Sequence, residues 1–525
     1  MTGVSQMKAY FIGGGIGSLA GAAFLIRDGG LKGNDITIYE RLTLLGGSLD
    51  GARLADGSYS LRGGRMLTTD HYECTWDLLS GIPSLIHPGL SVRDETITFN
   101  IEHQAHSRAR LVDRNRFKVD VGTMGFTMQD RMELLRLMEA SEEKLGSSRI
   151  TDWLSPPFFD TNFWYMWQTT FAFQPWHSAV ELKRYLHRFI SEFPRIETLA
   201  GVKRTVYNQY DAIVRPLASW LDKHGVHFDR STRVTDMQFA NADGKLAVTS
   251  LAIEANSASD TIVLAGDDLV FFQNGSMTDA SSLGTMTAPP PRLTKADSRG
   301  WELWEKIAAG RPEFGNPAAF NASIPESYWA SFTVTCHDTR FFDQMQAFTG
   351  NEAGTGGLVT FKDSNWLMSV VLYHQPHFEG QADNEQIFWG YALHPDRVGN
   401  FVAKPMSDCG GAEILRELCG HLNFDTSVFG TASCIPCRMP YITSMFMPRN
   451  KSDRPLPVPA NSKNLAFVSQ FVEIADDVVF TVEYSVRAAQ MAVYQLLKIA
   501  RPIPAITRHD RSTKVRIETL EKAFA

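Results

Sequence analysis

Two arginines bracket two glycines in LRGGRMLTTDHYECTWD, residues 61–77. Gly63 and Gly64 would let the backbone approach a flat ligand. Arg62 and Arg65 could neutralise a phosphate or a reduced ring, or simply pin the loop. Met66 follows directly, and the next acids are Asp70 and Glu73. Upstream, GGGIGS at 13–18 sets Gly13, Gly15 and Ser18 at the spacing G-x-G-x-x-G. Gly13 permits a tight turn, Gly15 lets the backbone reach a pyrophosphate, and Ser18 is small enough for close helix–strand packing. The phosphates would lie on the N-terminal amides of the following helix. Glu40 would accept hydrogen bonds from a ribose diol. A second glycine-rich segment, LLGGSLDG at 44–51, adds Gly47 and Ser48. That succession is typical of FAD proteins of the glutathione-reductase type, in which the chain wraps pyrophosphate and flavin, so FAD is the expected cofactor.

These residues need a βαβ unit to hold them. Residues 8–12 read as a strand, 13–17 as the glycine turn, 18–29 as a helix with small residues on the sheet, and 35–40 as the second strand. Segments 221–239, which includes Val234, and 267–276, which includes Asn274 and Ser276, read as further strands of the same sheet. Residues 464–497 read as strand, turn and amphipathic helix, so that Gln470 and Thr481 close the site from the far end of the chain. The expected fold is α/β. A discontinuous Rossmann-like FAD-binding domain takes 1–100, 196–290 and 432–498. A helical, aromatic insert takes 101–195, an α+β substrate-binding domain 291–431, and a C-terminal segment 499–525. Within the first insert, residues 158–176 carry nine aromatics in nineteen positions against 11% for the chain. They read as a buried helix, as the wall of an apolar tunnel, or as both. The basic stretch from Arg501 reads as a solvated tail, with a helix on the body or on a membrane surface as alternatives.

At 525 residues the chain exceeds one compact core, so two or three domains are expected. A formal charge of -7 offers no reason to bind nucleic acid. Six sparse cysteines suit reduced thiols in the cytoplasm. Cys434 and Cys437 form a C-x-x-C without a second pair or a histidine pair, so neither a metal nor a redox role is expected. No run reaches eighteen uninterrupted apolar residues, so membrane contact, if any, is peripheral.

The strings HYECTWDLLSGIPSL, FQPWHSAVELKRYLHRFI, NGSMTDASSLG, KDSNWLMSVVLYHQPHF, PYITSMFMPR and VFTVEYSVRAAQMAVYQLL, together with RGGR, resemble the oleate hydratases, once called myosin-cross-reactive antigens. The resemblance runs from about residue 8 to 497. It implies an FAD-dependent enzyme that hydrates the cis-9 double bond of oleic acid to 10-hydroxystearate, with no net redox change and with reduced flavin as the more active form. It implies a long-chain unsaturated fatty acid as partner and a monomer or homodimer. The runner-up is a flavin-dependent fatty acid isomerase or oxidoreductase.

By the same resemblance Tyr185 is the proton donor, with an ordinary helical tyrosine as the alternative. A phenol with reference pKa near 10 stays protonated at neutral pH. Gln209 would orient donor or water near the same site. The family's glutamate after RGGR, taken to activate water, is Met66 here, which cannot accept a proton. Either Asp70 or Glu73 replaces it, or no carboxylate does, the reading preferred here. The family's T-x-N-x-x-x-H motif for the fatty carboxylate becomes Val371, Tyr373 and His377. Only the histidine remains, with His374 as a possible helper and a structural histidine as the alternative for His377.

Overall fold

The computed structural model describes residues 7–63, 66–255 and 258–525; Gly64 and Arg65 of the arginine-flanked loop lie outside them. Ala9–Ile12, four buried apolar residues, run through the middle of a parallel five-stranded sheet. Its order is Leu465–Phe467, Leu269–Phe272, Ala9–Ile12, Ile36–Glu40, His227–Arg230. A sheet buried on both faces demands such continuous apolar strands. On it lie the helices Ile16–Arg27 and Val482–Leu496, packed against each other. The first helix comes close because it is built of small residues. A Cβ on Gly21 would fall 2.6 Å from the Phe11 ring, and one on Gly17 would fall 2.1 Å from the Val468 carbonyl oxygen.

Segment 221–239 corrects the expectation that all of it joins this sheet. Only His227–Arg230 does; Thr232–Ala242 starts a separate antiparallel sheet with Lys245–Ala255 and Ala258–Val263. Ser231, at φ 58°, breaks the extended backbone between the two strands.

The insert is a seven-stranded sheet whose longest strand, Trp329–Cys336, pairs antiparallel with the central strand Gln386–Ala392 and with Ser433–Met439. Ser282–Leu283 and Leu111–Val112 form its two edges, so it crosses the expected limits at 290/291 and 431/432. Cys434 and Cys437 lie three apart on one strand, so their side chains leave opposite faces. The aromatic stretch forms the turn Pro156–Asp160 and the helix Asn162–Phe171, with Trp164 and Trp167 buried.

The C-terminal segment is no solvated tail. Helix Thr513–Phe524 docks on the body: Lys522 pairs with Glu197 at 2.6 Å, and Arg131 donates to the Ala523 carbonyl at 2.8 Å. No helix among the described residues is long and apolar enough to cross a membrane.

Candidate active site

The glycine turn leaves the first strand at Gly13, whose φ of +96° suits only glycine and whose N–H donates to Tyr39 O at 2.9 Å. The following helix starts at Gly15 with no side-chain cap, so the first-turn amides face the cleft unsatisfied by any side chain. Gln273, which the sequence reading missed, lies so close over Gly15 that a Cβ there would sit 2.2 Å from its Nε2. Close helix packing, expected from Ser18, comes from Gly17; Ser18 is buried and donates to Gln273 Oε1 at 3.3 Å. The Glu40 carboxylate accepts from the amides of Gly14 and Leu42, both at 2.7 Å, which holds it beside the glycine turn. Uncapped amides, glycine-only approach and an acid at the second strand's end fit a dinucleotide.

Gly13, Gly15, Glu40, Gly47, Ser48, Arg62, Met66, Val234, Ser276, Gln470 and Thr481 all line this one cleft. Arg62 pins loops: it pairs with Asp50 at 2.6 Å and donates to the carbonyls of Gly47 and Thr278. Thr481 caps the long C-terminal helix of the sheet, and Gln470 braces it by donating to Thr481 O and Ser485 Oγ. Asn274 does not line the cleft. It is buried, accepts from Ser469 Oγ at 2.8 Å and donates to Phe471 O at 3.2 Å, which anchors the loop before Gln470.

Tyr185 lines the same cleft, on helix Ala179–Arg188, whose N-cap Ser178 accepts from the Glu181 amide. The ring is only 1% exposed and sits among Phe171, Phe173, Phe189 and Phe446, with centroids 5.0–5.6 Å away. Its hydroxyl donates to Val479 O at 2.6 Å. Burial pushes the phenol well above its usual pKa, and the charges of Tyr72, Glu181 and Asp477 add to that. Buried ion pairs clamp this helix to the loop carrying Val479. Arg184 meets Glu473 at 2.6 Å, and Arg188 meets Asp477 at 3.3 Å. Of the aromatic stretch, Phe171 reaches the cleft wall, whereas Trp164 and Trp167 do not.

The acids proposed to replace the missing glutamate do not reach this place. Asp70 is exposed and lines no part of the cleft. Glu73 does not line the cleft either, and is held by two arginines: it pairs with Arg188 at 2.6 Å and Arg487 at 3.0 Å. Burial opposes its charge, but the Arg188 hydrogen bond prevails and holds its pKa down at about 2. Among the described residues the acids lining the cleft are Glu40, Asp279 and Glu192. Asp279 accepts from Ser298 and from the amides of Arg299 and Gly300. Glu192, unnoticed in the sequence although E-x-x-R is its signal, pairs with Arg195 at 2.6 Å. Each is already committed.

Gln209 is a second correction: it lies in a smaller cavity with Tyr373, His374, His377 and Gly63, not beside Tyr185. Ser48 and Leu49 line both cavities, so the two share a wall. Tyr373 and His377 stack with centroids 3.8 Å apart and rings 4° from parallel. Burial, with the Arg204 charge adding to it, pushes His377 down to about 3, so its imidazole is neutral. Val371 is buried in strand Met368–Leu372 and does not line this cavity.

The MCRA family matches residues 6–494. The oleate hydratase of Streptococcus pyogenes serotype M49 (strain NZ131) is 40% identical over 517 residues, covering 96% of this chain and 87% of the relative. The linoleate hydratase of Lactiplantibacillus plantarum is 34% identical over 568 residues, with 99% of each chain covered. Among solved structures, wild-type putrescine oxidase bound to putrescine superposes with TM-score 0.55 at 11% identity, covering 94% of this chain and 99% of its own. Cyclohexylamine oxidase from Brevibacterium oxydans IH-35A gives 0.54 at 11% identity, with the same coverage. At such identities these two show the fold alone.

Proposed function

The chain belongs to the MCRA family, and on that premise we propose that it is an FAD-dependent fatty acid hydratase. It adds water across the cis-9 double bond of oleate and related unsaturated fatty acids, giving 10-hydroxy products. The observation that carries this reading is Tyr185: a phenol buried among aromatic rings in the same cleft as the glycine turn.

An isolated alkene is a poor base, so its proton donor must be positioned in a site where water does not compete. Tyr185 meets that need, and turning about its C–O bond moves the proton from Val479 O toward the alkene. The phenol gives its proton to one alkene carbon, water bonds to the other, and the water's surplus proton returns to the phenolate. Burial disfavours the phenolate, so proton transfer and water attack must be closely coupled. The committed state of Glu40, Asp279 and Glu192 supports water activation without a free carboxylate base. Gly13, Gly15, Glu40, Gly47 and Ser276 would hold the cofactor. Bound FAD, above all in its reduced and more electron-rich form, supplies electrostatic stabilisation of nearby positive charge and no net redox change. Exposed Ile517, Leu520 and Phe524, on a helix bonded to Arg131 of the helix bearing exposed Met128 and Met132, support peripheral contact with a lipid surface.

The test is product mass from oleate and the FAD-loaded protein. Hydration adds one water. An unchanged mass means isomerisation, and loss of two hydrogens means desaturation; either overturns the reading.

A further inference from the structure

Arg204 is a cation without an anion. Its backbone is fixed from both sides, the N–H donating to Asn100 Oδ1 at 3.0 Å and the carbonyl accepting from Asn100 Nδ2 at 2.7 Å. Arg204 lines the smaller cavity, and one amino group of its guanidinium donates to Gly356 O at 3.3 Å. The Nε is buried without a hydrogen-bond partner, and no carboxylate among the described residues lies within ion-pair distance. Asp50 also lines the cavity but is taken by Arg62 at 2.6 Å, and the neighbouring Asp211 binds Arg215 at 3.1 Å. In the same cavity Gln209 Oε1 is likewise buried without a partner.

Such an arrangement is costly unless a ligand completes it. A desolvated guanidinium with an unmade bond loses hydration and gains no Coulomb compensation. Desolvation lowers the Arg204 pKa, yet arginine keeps its charge at any working pH. His377 is neutral, so it can offer a hydrogen bond but no charge, and Val371 does not line the cavity. The planar fork matches a carboxylate better than any other group on this wall.

The family resemblance already points to His377, in this cavity, for the fatty carboxylate; we propose that Arg204 is the cation that binds it there and the residue that makes the enzyme prefer fatty acids to uncharged lipids of the same chain. Tyr373, stacked flat on His377, also lines this cavity. A chain held there would pass the shared wall at Ser48 and Leu49 to reach the Tyr185 cleft. The hydratase reading enters only in naming the ligand a fatty acid.

The test compares oleate with oleyl alcohol, which keeps the chain and lacks the carboxylate. FAD-loaded wild type, Arg204→Gln and Arg204→Lys are assayed by calorimetric binding and by turnover. For Arg204→Gln, Kd and KM for oleate should rise about ten- to a hundredfold, the usual worth of a charged hydrogen bond, with kcat little changed. The values for oleyl alcohol should stay as in wild type, and Arg204→Lys should recover part of the oleate affinity. Equal losses for both ligands, or none for oleate, would overturn the assignment. Should wild type bind oleate yet form no hydrated product, the hydratase reading fails while the binding comparison still decides the role of Arg204. Flavin content and melting temperature equal to wild type exclude a folding defect as the cause.

Discussion

Tyr185 has a proton to give, and none of the groups that act on it stabilises the loss of that proton. Its removal is therefore specific. Tyr185→Phe should keep its flavin and lose activity by about a hundredfold or more, the usual share of a positioned acid. The lost bond to Val479 should cost about 1 kcal/mol of stability. A mutant that turns over at the wild-type rate contradicts the assignment. Because burial lifts the phenol well above its usual pKa, activity should show no alkaline loss from this group up to about pH 10. Asp70→Asn should leave activity as it was, since Asp70 is exposed and outside the cleft; a large fall in kcat would mean the acid reaches the alkene. At this scale the sequence was uneven. Gly13, Gly15 and Glu40 are legible from local spacing, whereas Tyr185 needed the family resemblance. Arg204 was invisible, because what marks it is an absent partner, whereas Glu192 was overlooked although its i,i+3 pairing with Arg195 is a local signal.

Elements set the distances. Helix Ile16–Arg27 brings its amides to the cleft only because Gly17 lies against Val468 O, where a Cβ would sit 2.1 Å away. Gly17→Ala should cost about 1–3 kcal/mol through overpacking and should reduce bound flavin as the helix shifts. Denaturant titration and flavin absorbance measure the two effects, and unchanged values in both contradict this packing account. The βαβ unit was readable because its strands, turn and helix are contiguous. The strand at Thr232–Ala242 was misassigned because one left-handed residue, Ser231, redirects a chain whose composition does not change. The seven-stranded sheet was hidden because its strands come from segments as far apart as Leu111–Val112 and Ser433–Met439. Such pairings leave no local period.

Across the whole molecule, titration works against the fold in acid. His71, His177 and His377 are buried, and burial pushes each down to about 3. Their native pKa values lie below the unfolded value of about 6.5, so the native state binds fewer protons. The stability they contribute is complete above about pH 6.5 and is lost as pH falls toward about 3, by at most about 1.4 kcal/mol per histidine per pH unit. Glu73, held at about 2, adds a loss of the same sign at lower pH. The urea midpoint should therefore fall steadily from about pH 7 to about pH 5; a flat midpoint would mean these histidines are protonated in the native state.

The central claim is water addition without net redox change. The direct measurement gives oleate to the protein with reduced FAD, without oxygen, in oxygen-labelled water. The account predicts one labelled hydroxyl per product molecule and a flavin spectrum at the end like that at the start. An unlabelled product, or flavin oxidised in step with product, would contradict it.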